Sequence, residues 1–262
     1  MAGIDRKEQR KRQLLRRMIL FGLIVIIGLF AGISVLKNSL EKKASKKDLE
    51  NAKTVEEADS EDSSIDEEIA LAKERAKAAG APEDILELLD KNPETVEFVA
   101  NYETLKDNPP AETVEEAKEG EIPHLLQWDE RWGYQNYGVK SLAASGCGPT
   151  CISMIIIGLT GDASATPYCL AQYSEEYGYM IDKGGSYAGL VKHAAEAWGI
   201  TVAESLENED FVYQETQKGY PLICNLSPGE YFTDVGHFIV ITGYEDGMIT
   251  VLDPFSIENT EK

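Results

Sequence analysis

Residues 143–157 read AASGCGPTCISMIII, in which one cysteine stands between two glycines and an apolar run follows at once. Proline at position 149 suits the first turn of a helix, and the residues after it are apolar on nearly all sides. We therefore predict a buried helix that begins at Cys147. A helix N-terminus favours a thiolate, and flanking glycines allow close approach of other chain atoms. The alternative is a structural cysteine in a turn, because a free cysteine often behaves as a small buried hydrophobe.

A nucleophilic thiol needs a base, and the base needs an orienting group. The chain has three histidines. His124 lies in a linker-like stretch, and His193 lies on an amphipathic helix where exposure to solvent is expected. His237 opens GHFIVITG, an apolar pattern that predicts a central strand. A histidine buried there requires a polar partner.

The next strand offers that partner. The segment GYEDG, residues 243–247, predicts a hairpin turn. A five-residue loop would place His237 opposite Asp253, and a carboxylate beside an imidazole orients a general base. The alternative is an incidental pair of residues across a hairpin.

Helical patterns precede strand patterns between residues 122 and 262, which is the order of an α+β fold. The predicted helices follow Cys147 and lie near 166–178, 186–198 (capped by Ser186) and 208–218. The predicted strands lie near 201–205, 221–226, 236–243 and 248–253.

The overall composition excludes some partners. The 262 residues include 25 Lys/Arg and 46 Asp/Glu, a net charge of −21, which argues against nucleic acid as a partner. Four cysteines without a Cys-x-x-Cys pair argue against zinc, so we predict no metal and no cofactor. Two disulfides are conceivable, but we expect Cys151, Cys169 and Cys224 to be buried thiols.

The N-terminal segment predicts a membrane anchor. Residues 18–36 carry no charge, and 19 residues rise about 28 Å as a helix, close to the ~30 Å of a bilayer core. A cleaved signal peptide is the competing interpretation, but it requires a shorter apolar region and a small-residue cleavage site. The basic residues 1–17 predict a cytoplasmic tail, so the rest of the chain is expected outside the cell.

Between anchor and main domain we expect three segments. Residues 37–63 resemble a charged, solvated stalk. Residues 64–105 predict a small helical region of three helices: the first stops at Gly80, the second starts at Pro82, and the third starts at Pro93 after an Asn92 cap. The second and third are expected to pack as a hairpin. Residues 106–121 predict a linker. The main domain then covers residues 122–262.

The segments QWDERWGYQNYG, SGCGPT, GHFIVITG and LDP resemble, in this order, the C39-like family of papain-fold cysteine peptidases. ELLDKNPETVEFVANY resembles the helical lead-in of membrane-anchored Gram-positive members. The resemblance implies a papain-like α+β fold with Cys147 as nucleophile, His237 as base and Asp253 as orienting carboxylate. It also implies an oxyanion-hole glutamine, which Gln127 matches and for which Gln135 is a second candidate.

We therefore expect a single-pass membrane-anchored, extracytoplasmic cysteine peptidase that hydrolyses peptide or related amide bonds. The lipid bilayer and a peptide or protein substrate are its expected partners. Relatives that process double-glycine leaders are fused to a transporter, which nothing in this chain resembles, so their substrate does not transfer. One alternative is a catalytically silent papain-fold module that binds peptides or cell-wall material. Another is a scaffold that acts through the acidic stalk.

Overall fold

The computed structural model describes residues 65–204, 209–229 and 236–261. The expected tail, membrane anchor and stalk (residues 1–17, 18–36 and 37–63) lie outside these residues. Within the described ranges, no helix has both the length and the apolar character that crossing a membrane requires. Asp66–Lys262 form one compact unit, whose described residues form helices and two small antiparallel sheets, which confirms the predicted α+β class.

The unit begins with one helix of several turns and a series of short helices, which together we call the lead-in (residues 65–105). Gly80, with a φ of +79°, follows the first helix, and the Asn92 side chain accepts the Glu94 N–H, both as predicted. The single helix predicted from Pro93 is instead interrupted at Thr95 and Asn101, where ψ is close to 0° and the backbone departs from α-helical geometry. The elements are α1 (65–78), α2 (Glu83–Leu86), α3 (Leu88–Lys91), a 3₁₀ turn (Pro93–Thr95), α4 (Val96–Ala100) and α5 (Tyr102–Leu105).

The lead-in buries its apolar residues against the rest of the compact unit. Phe98 is stacked on the ring of Tyr134 with 4.2 Å between the ring centroids. The same cluster contains Ala143 and Phe255. Ala143 precedes residues 147–160 in the chain, and Phe255 follows residues 222–252, so the cluster joins distant segments. The helical hairpin predicted from the sequence therefore does not bury its apolar face by itself. Buried lead-in residues of this cluster are Ala72, Ala76, Ile85, Leu86, Leu88, Leu89, Phe98 and Val99.

The core of the unit is built around one long helix, which begins at Cys147 as predicted. It is buried from its first residue to Gly158, and Gly161, whose φ is +72°, caps its C-terminus. A two-stranded antiparallel ribbon comes first, formed by β1 (Asn136–Tyr137) and β2 (Lys140–Ser141). The helices that follow are α6 (Leu142–Ser145), α7 (Cys147–Thr160), α8 (Pro167–Glu176), α9 (Gly189–Ala197) and α10 (Glu209–Gln217). Helices α8 and α9 and the central strand of the larger sheet pack on α7.

Two predicted elements differ in the structure. Helix α9 begins at Gly189, because Ser186 forms an isolated β-bridge with Met180 instead of capping the helix. Residues 201–204 form no strand. Val202 instead packs from a loop against the main apolar cluster, so its apolar character serves burial without β pairing.

The larger sheet contains β3 (Leu222–Leu226), β4 (His237–Glu245) and β5 (Met248–Leu252), all antiparallel in the order β3-β4-β5. The prediction that the strand after His237 is central is thus confirmed. A short helix, α11 (Ile257–Glu261), follows the sheet.

The hairpin between β4 and β5 has a tighter turn than the sequence predicted. Glu245 pairs with Met248, so only Asp246 and Gly247 form the loop, with φ values of +51° and +81°. Asp-Gly is the preferred pair for a two-residue turn with both φ values positive. A bulge beyond Ile241 changes the register once more. The predicted pairing of Ile241 with Ile249 is therefore wrong, and Ile241 pairs with Val251.

Candidate active site

Cys147 occupies the first position of α7, after Gly146 as the N-terminal cap. Both flanking glycines are required by packing within the chain. A Cβ on Gly146 would lie 2.5 Å from the carbonyl oxygen of Leu142, and a Cβ on Gly148 would lie 2.7 Å from Ser186 Oγ. The glycines thus allow α6 and the Ser186 loop to close around the start of α7.

The Ser186 loop is itself fixed by a buried tyrosine. Tyr137 OH lies 2.6 Å from Ser186 Oγ and 2.7 Å from Ser174 Oγ, and its side chain is fully buried. Strand β1 and helix α8 thereby hold the loop that covers Gly148. Sequence reasoning did not identify this contact, because a tyrosine and two serines far apart in the chain carry no local signal.

His237 lies beside the thiol at the beginning of the central strand. The imidazole of His237 lowers the pKa of the Cys147 thiol through hydrogen bonding and charge, and the backbone N–H groups of Phe238 and Gly148 lower it further. The thiol therefore has an imidazole and two N–H donors around it. Such donors stabilise a negative charge on sulfur.

Asp253 follows the end of β5 and holds the other side of the imidazole. His237 Nε2 lies 2.7 Å from Asp253 Oδ1, and the carboxylate is 1% exposed. The strands do not pair these two residues directly, in contrast to the predicted register. The error in register at Ile241 is two residues, which leaves each side chain on the same face of the sheet. The contact therefore survives as a diagonal one.

Several groups saturate the carboxylate of Asp253. Its Oδ1 also accepts the N–H of Phe255 at 2.8 Å, and its Oδ2 accepts Asn259 Nδ2 at 2.9 Å. The backbone N–H of Asp253 donates to Thr260 Oγ1 at 2.9 Å, and its carbonyl lies 2.7 Å from His124 Nε2. The residues from α11 and His124 were not predicted from the sequence. The only local signal for these contacts is that Asn259 and Thr260 follow Asp253 by six and seven residues.

The electrostatics favour a charged pair. Burial alone would raise the pKa of Cys147, but hydrogen bonding and attraction to His237 lower it below the ordinary thiol value. Burial would lower the pKa of His237, yet Asp253 and Cys147 raise it to about 10. Burial would raise the pKa of Asp253, and hydrogen bonds from His237 and Asn259 lower it overall. All three directions favour a thiolate next to an imidazolium.

Gln127 lies between the two halves of the site. Its backbone N–H donates to the carbonyl of Pro254 at 2.7 Å, and its side-chain Nε2 donates to the carbonyl of Ala143 at 2.7 Å. The side chain is buried, and its Oε1 has no hydrogen-bond partner within the described part of the chain. A primary amide carries two N–H donors, so one remains for a ligand after the bond to Ala143.

Gln135, the second candidate, points elsewhere. Its Nε2 donates to the carbonyl of Asn108 at 3.2 Å, in an exposed position on the predicted linker. The structure therefore brings Gln127, and not Gln135, to the segments that carry the cysteine and the aspartate.

The remaining cysteines and His193 have other environments. Cys151 is fully buried one turn along α7, as predicted, and burial raises the pKa of its thiol. Cys169 and Cys224 are only half-buried, against prediction, because they lie near the start of α8 and on the outer strand β3. His193 is not simply solvated. Its Nδ1 lies 2.7 Å from Tyr173 OH, among several tyrosine rings.

Comparisons with known proteins place the site within a family. Neither a curated protein nor a solved structure gives a significant match to the chain. The sequence profile of the Peptidase_C39 like family matches residues 120–262, which is more than half of the chain and includes every residue of this site. The chain therefore belongs to the Peptidase_C39 like family.

Proposed function

We propose that the chain is a cysteine peptidase that hydrolyses peptide or related amide bonds through Cys147, His237 and Asp253. The observation that carries this proposal is the position of the His237 ring. It hydrogen-bonds the carboxylate of Asp253 and at the same time lowers the pKa of the Cys147 thiol. An imidazole between a nucleophile and a carboxylate is the arrangement that nucleophilic catalysis requires.

The reaction follows from the charged pair. Because Asp253 engages Nε2 of His237, Nδ1 is the nitrogen left to exchange a proton with the thiol. The Cys147 thiolate attacks the amide carbonyl carbon, and the imidazolium gives its proton to the leaving amine as the C–N bond breaks. A thioester remains on Cys147. Neutral His237 then takes a proton from water, whose oxygen attacks the thioester and releases the carboxylic acid and the thiolate.

The tetrahedral intermediate needs hydrogen-bond donors for its oxyanion. We assign this role to the second Nε2 proton of Gln127 and to the backbone N–H of Cys147. The bond from Gln127 to the Ala143 carbonyl supports the assignment, because it ties the amide to α6, directly before the nucleophile. Backbone and amide donors fixed in this way need no reorganisation during the reaction.

We also propose that the α+β architecture is of the papain-like type. The support is the arrangement of the two elements that carry the pair. A buried helix begins at the cysteine, and it packs on an antiparallel sheet whose central strand begins at the histidine.

Alkylation tests the chemistry. In the purified protein at neutral pH, iodoacetamide should modify Cys147 much faster than Cys169 or Cys224, as followed for each cysteine by peptide mass spectrometry. Hydrolysis of a peptide library should be lost in Cys147→Ala. A Cys147 that reacts no faster than Cys169, together with no hydrolysis, would instead indicate the silent peptide- or wall-binding module.

The location is a separate part of the proposal. We propose that residues 18–36 anchor the chain in the cell membrane of a Gram-positive bacterium, with the peptidase part outside. The uncharged stretch after a basic tail supports it. A thiol-reactive peptide probe that cannot enter cells should label the chain on intact cells, and Cys147→Ala should abolish that labelling. Labelling only after lysis would reverse the topology.

A further inference from the structure

Glu94, in the 3₁₀ turn of the lead-in, contacts the opposite end of the chain. Its Oε1 accepts hydrogen bonds from Ser256 Oγ and from the N–H of Glu258, both at 2.9 Å. Its Oε2 accepts the N–H of Ile257 at 2.7 Å. The carboxylate thus caps the N-terminus of α11 from a distant part of the sequence. Burial opposes its charge, but these hydrogen bonds lower the pKa of Glu94 overall.

Asn92, which caps the same turn, also helps to fix Phe255, two residues before α11. Asn92 Nδ2 donates to the carbonyl of Phe255 at 2.6 Å, and Trp128 Nε1 donates to the same oxygen at 2.7 Å. Helix α11 has only five residues. A helix of this length is not stable in isolation, so its position depends on such contacts.

Helix α11 in turn contacts the carboxylate of the active site. Asn259 Nδ2 donates to Asp253 Oδ2, and Thr260 Oγ1 accepts the backbone N–H of Asp253, each at 2.9 Å. The other carboxylate oxygen of Asp253 receives the imidazole of His237. An uninterrupted series of hydrogen-bonded groups therefore connects the lead-in with the imidazole.

We propose that Glu94 is a positioning residue, which acts through α11 and Asn259 to hold Asp253 against His237. The inference rests on the proposed function and deepens it. Glu94 touches none of the reacting atoms. It also lies outside residues 120–262, the range that the family profile matches, so the working site extends into the lead-in.

The experiment measures the titration of His237 by NMR in the full chain. Only three histidines are present, and His193, which contacts tyrosine rings instead of Asp253, serves as the internal reference. In Glu94→Ala we expect the midpoint of His237 to fall by at least about one pH unit, since its carboxylate partner is less well held. Glu94→Gln should give a smaller fall in this midpoint. Asn259→Ala should give a fall comparable with that of Glu94→Ala.

A matched control separates positioning from stability. Glu116, in the predicted linker (residues 106–121), also contacts the main domain, because its carboxylate accepts two hydrogen bonds from Arg131 at 2.7 and 3.0 Å. Glu116→Gln should lower the melting temperature and leave the His237 midpoint unchanged. Should Glu94→Ala fail to fold, Glu94→Gln and Ser256→Ala provide the same comparison, because each removes only part of the cap.

A double variant tests the route through α11. If Glu94 acts through Asn259, adding Glu94→Ala to Asn259→Ala should shift the His237 midpoint little further. On a peptide substrate, Glu94→Gln should lower kcat about tenfold with KM unchanged. A lower melting temperature with an unchanged His237 midpoint, or fully additive shifts, would overturn the inference.

The two proposals can fail separately. A wild-type Cys147 that alkylates no faster than an ordinary thiol would reject the peptidase mechanism. The His237 titration requires neither substrate nor a reactive thiol, so it decides the role of Glu94 in either case.

Discussion

At the scale of single residues, the reactivity of Cys147 depends on a balance between burial and charge. The thiol is 9% exposed, and burial without partners would keep it protonated, as it does for Cys151 one turn later. The difference between these two cysteines of one helix is the imidazole of His237. Position at the helix N-terminus adds to that effect.

The pH dependence of alkylation should report this balance. The pKa of Cys147 is lowered, so the thiolate is present above it, and the pKa of His237 is raised to about 10, so the imidazolium persists up to that pH. We expect the alkylation rate of Cys147 to rise with pH at a midpoint below the ordinary thiol pKa of about 8.5. In His237→Ala only the backbone N–H groups of Phe238 and Gly148 oppose the effect of burial, so the rate should rise at a higher pH. Identical profiles for the two proteins would disprove the pairing.

The carboxylate should affect turnover more than stability. Asp253→Asn keeps the shape but removes the charge that stabilises the imidazolium, so we expect turnover to fall at least about tenfold. His237→Ala removes the acid and base itself and should cost roughly 100- to 10,000-fold. Asp162→Asn is the control, because this carboxylate also accepts several hydrogen bonds but lies just beyond the far end of α7. If Asp162→Asn slows turnover as much as Asp253→Asn, the orienting role is wrong.

At the scale of secondary-structure elements, the sharp junction between α6 and α7 sets the position of the nucleophile. Gly146 forms that junction with an ordinary φ of −89°, so its requirement is steric and not conformational. A Cβ there would approach both the backbone and the side chain of Leu142 closer than 3 Å. One of the two helices would have to move, and Cys147 moves with α7.

Gly146→Ala should therefore impair both stability and turnover. Overpacking of this kind costs about 1–3 kcal/mol in the free energy of unfolding, and displacement of the thiol should lower kcat as well. Gly236→Ala is the matched control beside His237, because its Cβ would meet nothing closer than the Leu226 carbonyl at 3.8 Å. Thermal unfolding and turnover of the two variants decide the point. Equal melting temperatures and equal turnover rates for the two variants would mean that α6 and α7 accommodate the added methyl group without loss of stability.

Elements with strong local signals were predictable, and their mutual register was not. The start of α7 at Cys147 and the central place of β4 follow from apolar patterns and a proline. The loop at Asp246 was predicted with five residues and has two. The length of a hairpin loop and the position of a bulge depend on how the whole strands pair, which local sequence does not determine. The histidine and the carboxylate were still identified, since a shift of two residues preserves the face of a strand.

The supporting groups of the site could not be predicted in the same way. Asn259 lies on a five-residue helix that only distant contacts stabilise. Glu94 is one of 46 acidic residues, and nothing around it in sequence distinguishes it. Their roles arise from the packing of segments more than 160 residues apart.

At the scale of the whole molecule, the lead-in and the family-matched region share one apolar cluster. Trp128, Tyr134 and Phe255 pack on the lead-in, and Phe98 provides the fully buried ring at the contact. Polar contacts join the two parts as well, since Asp84 Oδ2 accepts hydrogen bonds from both the N–H and the hydroxyl of Ser141, at 2.6 and 2.7 Å. The family-matched region by itself would leave these groups exposed.

A chain shortened to residues 120–262 should therefore not fold into a stable, active protein, whereas residues 65–262 should. Fully burying one large apolar side chain contributes about 1.5–3 kcal/mol, and the shortened chain exposes parts of three aromatic rings. The sum is several kcal/mol, comparable with the ~5–15 kcal/mol that stabilises an ordinary domain. Phe98→Ala in residues 65–262 is the graded control, with an expected loss of about 3–5 kcal/mol. Denaturant unfolding and Cys147 alkylation are the measurements. Cooperative unfolding of residues 120–262 at the same denaturant midpoint as residues 65–262 would show that the lead-in is dispensable.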